Sequence, residues 1–310
     1  MRYRIVYFGS PEFAIHPLEG LYEKEKVLAV VTQPDKPQGR GLKTLPCAVK
    51  SWALGKGLYV LDPPKIKGNE EFLKALKDLS PELIVVCAYG KILPKEVLEV
   101  PKFGCWNIHA SLLPKYRGAS PINWAILEGE KETGITIMLM DEGLDTGPIL
   151  LQKKIPINPE DNALTLSQKL SQLGKEAILE AIELHKKGLL KPTPQPDEGV
   201  SYAPLLKKED GFFTFEDPAW LIERKVKAFI PWPTAYTYIQ GKIFKVYQAK
   251  AQPSEKEIPG KILRINQEGL LVATSEGAIL LIEVQPEGKK KMSGFEFACG
   301  RRFKPGDLLI

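Results

Sequence analysis

The sequence is poor in the residues that build metal centres and disulfide frameworks, and it has no long hydrophobic run. Its 310 residues include three His and four Cys, and the Cys residues show no C-x-x-C spacing. The motifs H-E-x-x-H, G-x-S-x-G and G-x-x-x-x-G-K-[ST] do not occur. We therefore expect reduced thiols, no metal and no P-loop cradle for nucleotide hydrolysis. No window approaches the roughly 18 apolar residues that suggest a transmembrane helix, so we expect no membrane partner.

The charge of the chain is modest but unevenly distributed. Its formal net charge is +5. The segment 207–310 contains 17 Lys and Arg residues against 13 Asp and Glu residues, so most of the excess lies in the last third. A solvated surface would explain this balance, and an anionic partner is the alternative. The first residues, MRYRIVYFG, predict a strand rather than a signal peptide.

Up to about residue 188, short apolar runs alternate with amphipathic segments. Runs rich in Val and Ile are typical of strands that are covered on both faces. Their alternation with helices predicts an α/β fold with a Rossmann-like, doubly wound and mainly parallel sheet. Ser10 is expected to cap the first helix, with Pro11 at its first position. The predicted strands are 4–9, 27–33, 83–89, 105–110 and 135–141, and the patterns at 69–79 and 163–188 predict further helices.

The composition changes after residue 189. A proline-rich stretch follows, which predicts an extended linker. Beyond it, short apolar runs separated by Gly-containing turns predict a small, mostly β domain. We expect an α/β domain at 1–189, a linker at 190–208 and a C-terminal β-barrel domain at 209–310.

Polar side chains occur at the end of the predicted strand CWNIHA. Asn107 and His109 are two residues apart, so they point to the same face of a strand. Ligands of parallel α/β sheets bind beyond the carboxyl ends of strands. An Asn amide and a His could together stabilise a developing oxyanion. Asp145, flanked by Gly143 and Gly147 in the loop after the next strand, is free to fold back towards His109 and set its protonation state.

Simpler interpretations of these residues remain open. Asn107, His109 and Asp145 could form a capping network without chemistry. Leu112 and Leu113 could wall a flat aromatic ligand or belong to the core. His16 and His185, which lie in predicted helices, have no partner pattern and are expected to be structural.

The stretches NIHASLLPKYRGASPI and MDEGLDTGPIL closely resemble the 10-formyltetrahydrofolate-dependent formyltransferases. Within that family, TQPDKPQGRGLK, VCAYGKILPKEVLEV and AFIPWPTAY are similar to the members that formylate initiator methionyl-tRNA. The resemblance covers essentially the whole chain. It implies a formyltransferase-fold domain, an oligonucleotide-binding-like barrel, and a monomer acting in translation initiation in the bacterial cytoplasm.

The resemblance also implies roles for individual residues. Asn107, His109 and Asp145 would be catalytic. The folate cosubstrate, 10-formyltetrahydrofolate, would be bound by Ser111, Leu112, Leu113 and Pro114. Basic groups suit the phosphates and unpaired bases of tRNA; the expected tRNA contacts are Lys36, Arg40, Lys43, Lys289, Lys290, Lys291, Arg301 and Arg302.

Other acceptors of the formyl group define the competing hypotheses. An amino-sugar nucleotide formyltransferase could carry a similar second domain, and the basic loop 33–43 is the feature that distinguishes it. A glycinamide ribonucleotide enzyme would not need residues 208–310. A formyltetrahydrofolate hydrolase would pass the group to water. An RNA-binding protein without activity is disfavoured by the intact Asn107, His109 and Asp145.

Overall fold

The structure is a computed structural model that describes residues 2–38 and 43–309. The chain divides into two compact units. The first comprises Met1–Pro121, Glu132–Pro156 and Ser167–Pro204, and the second comprises Ile122–Lys131, Ile157–Leu166 and Leu205–Ile310.

Helices and strands alternate through the first two thirds of the chain. Their bounds are β1 (Arg4–Gly9), a 3₁₀ turn (Glu12–Ala14), α1 (Ile15–Lys24), β2 (Lys26–Val31), β3 (Lys36–Gln38), β4 (Lys43–Leu45), α2 (Ala48–Gly55), β5 (Val60–Leu61), α3 (Glu70–Leu79), β6 (Leu83–Cys87), α4 (Lys95–Leu98), β7 (Cys105–His109), α5 (Pro121–Glu128), β8 (Glu132–Leu139), β9 (Ile149–Pro156) and α6 (Ala163–Lys186).

The first unit is built on a seven-stranded sheet with the order β5-β2-β1-β6-β7-β8-β9. The pairs from β5 to β7 are parallel, which confirms the predicted Rossmann-like, mainly parallel α/β fold. The last two pairs, β7 with β8 and β8 with β9, are antiparallel. The sequence pattern predicted neither β9 nor this reversal of direction, and the reversal decides how the site is assembled.

The central strands are buried because the layers on both faces of the sheet cover them. All five residues of β6 are buried, as are the last five of β1. Phe72 and Leu76, on the apolar face of α3, pack into one core cluster with Phe8 and Val86. The first helix begins later than expected, because Ser10 does not cap it. The Ser10 Oγ instead accepts a hydrogen bond from the Gln33 backbone N–H.

The proline-rich segment after α6 is bound to the first unit at two places. Thr193 forms an isolated bridge with Ile149, and Tyr202 forms one with Arg117. Backbone hydrogen bonds therefore join this segment to Ile149 and Arg117 in other parts of the first unit.

The second unit contains an antiparallel sheet with the order β10-β11-β14-β13-β12, and β15 pairs with β14. Aliphatic and Phe side chains form its buried core against two helices. The elements are a 3₁₀ turn (Lys208–Gly211), α7 (Ala219–Ala228), β10 (Ala235–Ile239), β11 (Lys242–Gln252), β12 (Ile262–Asn266), β13 (Gly269–Ala273), β14 (Ala278–Pro286), β15 (Met292–Ser293) and α8 (Gly294–Arg301).

Over the described ranges, no helix is both long enough and apolar enough to cross a bilayer.

Candidate active site

Asn107 and His109 lie at the carboxyl end of β7, on one face of the sheet. The pleat of the strand gives both side chains the same direction. Asn107 is half-buried, whereas His109 is 5% exposed. A polar group in a buried imidazole needs a partner, and each nitrogen of His109 faces an oxygen atom, one within hydrogen-bond distance and one slightly beyond it.

The Nε2 nitrogen of His109 lies 2.9 Å from the carbonyl oxygen of Tyr116. A carbonyl can only accept, so Nε2 must carry the hydrogen in this contact. The Nδ1 nitrogen faces the other way and lies 3.6 Å from Oδ2 of Asp145. Nδ1 is therefore the nitrogen of His109 that can interact with Asp145 and with a reacting group.

Asp145 reaches the site through a loop that turns back on itself. Because β8 is antiparallel to β7, it leaves the sheet beside the amino end of β7, where the Met140 N–H donates to the Cys105 carbonyl. Asp145 has a φ of +53°, a conformation that is unfavourable for a residue with a Cβ. At Gly147 a Cβ would lie 1.8 Å from the Leu139 carbonyl oxygen, so only glycine fits there.

The Asp145 carboxylate accepts from both sides of the site. Its Oδ1 is 3.3 Å from Nδ2 of Asn107, and its Oδ2 accepts from the Gly118 backbone N–H at 2.8 Å. The Asn107 amide carries two hydrogens, and this bond uses one of them. A carboxylate, an imidazole and an amide thus converge on one point in a largely buried setting. That arrangement can stabilise an oxyanion and move a proton.

The four residues predicted to bind folate lie directly after β7, and their exposure divides them into two pairs. Ser111 and Leu113 are buried, and Ser111 Oγ donates to the Lys115 carbonyl. The Leu113 N–H donates to Thr136 Oγ1. Leu112 and Pro114 are half-buried. The exposed parts of Leu112 and Pro114 could contact a ligand, while Ser111 and Leu113 hold the shape of the turn.

One residue beside the site was not predicted from the sequence. Gln195, in the proline-rich segment, donates from Nε2 to the Asp145 carbonyl at 2.7 Å and to the Gly147 carbonyl at 2.8 Å. Its Oε1 accepts from Nε and Nη2 of Arg117 at 3.1 and 2.7 Å. Nothing in the pattern PTPQP distinguishes this Gln from a solvent-exposed linker residue.

The described residues of the basic loop expected to contact tRNA include the antiparallel strand pair β3-β4, here called the hairpin. Lys36 pairs with Leu45 and Lys43 with Gln38 in its register. Arg40 lies outside the described residues. The base of the hairpin is fixed by Lys50 of α2, whose Nζ is 2.7 Å from Oδ1 of Asp35 and 2.7 Å from Oδ2 of Asp62. These hydrogen bonds, that with Asp35 first, raise the pKa of Lys50.

The basic residues predicted in the second unit flank β15 and α8. Lys289, Lys290 and Lys291 are exposed in the turn between β14 and β15. Lys291 pairs with Glu283 at 3.1 Å and lies over the Tyr247 ring. Arg301 ends α8 and Arg302 follows it, both exposed.

Comparison with protein families gives two adjoining matches. The model described as "Formyl transferase" matches residues 3–182, and "Formyl transferase, C-terminal domain" matches residues 205–302.

Curated relatives match over nearly their whole length. Proteins named methionyl-tRNA formyltransferase from Caldanaerobacter subterraneus and Thermodesulfovibrio yellowstonii are 49% and 50% identical to this chain. The first alignment covers 99% of both chains, and the second covers 97% of both.

Solved structures share the fold at lower identity. HypX from Aquifex aeolicus, in complex with tetrahydrofolic acid, is 21% identical with a TM-score of 0.68; the match covers 96% of this chain and 47% of HypX. An N-formyltransferase from Helicobacter canadensis, in complex with folinic acid and dTDP-3-aminofucose, is 20% identical with a TM-score of 0.67 over 92% of this chain and all of that one.

Proposed function

This chain belongs to the formyl transferase family and, with its full-length relatives, to the methionyl-tRNA formyltransferases within it; we propose that Asn107, His109 and Asp145 transfer the formyl group of 10-formyltetrahydrofolate to the α-amino group of initiator methionyl-tRNA. The observation that carries this assignment of roles is the convergence of the three side chains. Asp145 lies 3.3 Å from the Asn107 amide and 3.6 Å from Nδ1 of His109.

In this mechanism, Asn107 and His109 stabilise negative charge. Attack of the amine on the formyl carbon makes the formyl oxygen anionic. The second amide hydrogen of Asn107 and a hydrogen on Nδ1 of His109 would donate to that oxygen. Loss of one such donor costs about 3 kcal/mol of transition-state stabilisation.

Asp145 has two roles in the proposed mechanism. In this scheme its negative charge, 3.6 Å from Nδ1 of His109, would stabilise the hydrogen that Nδ1 donates to the oxyanion, while the Nε2 hydrogen is donated to the Tyr116 carbonyl. Asp145 would also accept the proton that the attacking amine loses, directly or through water. Collapse of the tetrahedral intermediate would then break the bond between the formyl carbon and N10 of the folate, and return of that proton to N10 would release tetrahydrofolate. No covalent intermediate with the enzyme is required.

The hairpin β3-β4 with Arg40, and the basic residues of the second unit, would bind the tRNA. The lysines of 289–291 and the arginines 301 and 302 carry exposed positive charge, which suits phosphate groups. These residues would set affinity and salt dependence rather than the rate of the chemical step. An enzyme with this reaction would act in the bacterial cytoplasm, where translation is initiated.

An acceptor comparison tests the proposed function. With 10-formyltetrahydrofolate as donor, the purified protein should formylate initiator methionyl-tRNA, with elongator methionyl-tRNA, dTDP-3-aminofucose and water as competing acceptors. Preferred transfer to initiator methionyl-tRNA supports the proposal. Faster transfer to the amino sugar, or release of formate without transfer, would overturn it.

A further inference from the structure

The segment 193–203, here called the strap, is hydrogen-bonded to the two parts of the chain that form the proposed active site. These are the loop that carries Asp145 and the stretch that follows His109. At one end, Thr193 and Ile149 exchange two backbone hydrogen bonds of 2.8 Å, next to the exit of the Asp145 loop. At the other end, the Arg117 N–H donates to the Ser201 carbonyl, and the Ala203 N–H donates to the Arg117 carbonyl. The strap therefore spans from the loop that carries Asp145 to the stretch that follows His109.

The side chain of Gln195, in the strap, hydrogen-bonds both to the Asp145 loop and to Arg117. Its two Nε2 hydrogens go to the carbonyls of Asp145 and Gly147, and its Oε1 receives two N–H groups of Arg117. A side chain that satisfies two carbonyls and a guanidinium at once must donate twice and accept at the other atom. Only a primary amide does this.

The backbone of Asp145 needs such support. Its φ of +53° is unfavourable for a residue other than glycine, so the surroundings must hold it. The Nε2 of Gln195 bonds to the carbonyl of that same residue at 2.7 Å. The side-chain carboxylate of Asp145 in turn accepts hydrogen bonds from the Asn107 amide and the Gly118 N–H.

We propose that Gln195 is a positioning residue that fixes Asp145 in its working position by clamping the 145–147 backbone to Arg117. The kinetic consequence rests on the proposed function, because Asp145 acts on His109 in that reaction. Gln195 contacts no reacting atom in this scheme, so its loss should lower the rate of transfer without weakening the binding of either substrate.

Two substitutions separate hydrogen bonding from the filling of space. Gln195→Met keeps the length of the side chain and removes all four hydrogen bonds. Gln195→Glu keeps an acceptor for Arg117 and loses both donors. Glu198→Gln, at an exposed position of the strap, is the matched control. For both Gln195 variants we expect kcat to fall about 10- to 100-fold, because a small displacement of a catalytic group causes a loss of this size. The KM for each substrate should change less than about threefold. The control should match the wild type.

Either of two kinetic results would overturn the proposal. One is wild-type kcat in Gln195→Glu, because donation would then be unnecessary. The other is a raised KM with unchanged kcat, because Gln195 would then serve substrate binding.

Hydrogen exchange of the folded variants gives a test that does not depend on the acceptor. The Gly118 amide, which donates to Asp145, should exchange faster in Gln195→Met than in the wild type or in Glu198→Gln. Unchanged exchange would overturn the clamp. If the wild type fails to formylate methionyl-tRNA while Gly118 exchange still rises in Gln195→Met, the proposed function falls and the clamp stands.

Discussion

Nδ1 of His109 and Oδ2 of Asp145 lie 3.6 Å apart, although β8 leaves the sheet at the opposite end from His109. The pair is therefore formed by the loop 140–148 and not by the sheet. Gly147 permits the tight return, and the Gly118 N–H fixes the carboxylate at 2.8 Å. A site assembled in this way depends on the loop keeping one conformation.

The first prediction concerns this pair. Asp145→Asn keeps the size of the side chain but removes the negative charge that is proposed to act on Nδ1 of His109, 3.6 Å away. We expect kcat to fall by about 10²- to 10³-fold, with little change in folate binding. Steady-state kinetics and folate titration measure the two effects.

The same experiment carries its own check. If Asp145 acts mainly through His109, adding Asp145→Asn to His109→Ala should slow the reaction by much less than Asp145→Asn slows the wild type, because residues that act as a unit are not additive. The loss that remains reports the second proposed role of Asp145, the acceptance of the amine's proton. A double variant whose losses multiply would show that the two residues act independently.

The sequence predicted part of this site because strand geometry is a local property. Side chains alternate between the two faces of a strand, so Asn107 and His109, two residues apart, lie on the same face. Their position at the end of a strand was predicted from the apolar run before them. The direction of β8 could not be predicted, because a short apolar run is compatible with either a parallel or an antiparallel strand. Ser10 has the identity of a helix cap, but its hydroxyl is used by the Gln33 N–H instead. Gln195 depends on contacts between distant segments, which local patterns do not encode.

The second prediction concerns the hairpin. Arg40→Ala should raise KM for tRNA and leave folate binding unchanged, because the guanidinium is proposed to contact the acceptor end. Lys50→Met tests the same idea from the base of the hairpin, since it removes both ion pairs that hold Asp35 and Asp62 to α2. It should raise KM for tRNA in the same direction, while Lys56→Met, just after α2, should not. Kinetics of Arg40→Ala equal to the wild type would remove Arg40 from tRNA binding.

The third prediction concerns stability at alkaline pH. Burial raises the pKa of the Cys105 thiol to about 12, whereas an unfolded thiol has a pKa of about 8.5. Between these values the unfolded chain loses a proton that the folded chain keeps. The contribution of Cys105 to stability is therefore complete below about pH 8.5 and is lost as pH rises towards 12, at up to about 1.4 kcal/mol per pH unit.

Urea unfolding of Cys105→Ala between pH 9 and pH 11 measures this slope. The variant should lose less stability over that interval than the wild type, whatever its stability at pH 7. Cys299→Ala is the control, because Cys299 is an exposed thiol. Equal slopes for Cys105→Ala and the wild type would contradict the prediction.

The last prediction concerns the basic turn of the second unit. Lys289 and Lys290 are exposed, whereas Lys291 is paired with Glu283, so the first two are the freer charges for phosphate contacts. Each phosphate contact contributes a slope of about −0.7 to −0.9 to the dependence of log affinity on log salt. Lys289→Ala with Lys290→Ala should therefore weaken tRNA binding at low salt and make the salt dependence shallower by about one to two units.

The control for that variant is Lys74→Ala with Lys77→Ala, which removes the same charge from exposed positions on α3. Loss of net charge alone would change both variants equally. Phosphate contacts lie in this turn if the salt dependence becomes shallower only in the Lys289 and Lys290 variant. In that variant kcat at saturating tRNA should be unchanged, because contacts that serve only binding are made in the ground state and the transition state alike. Equal slopes in all three proteins would remove the turn from the tRNA interface.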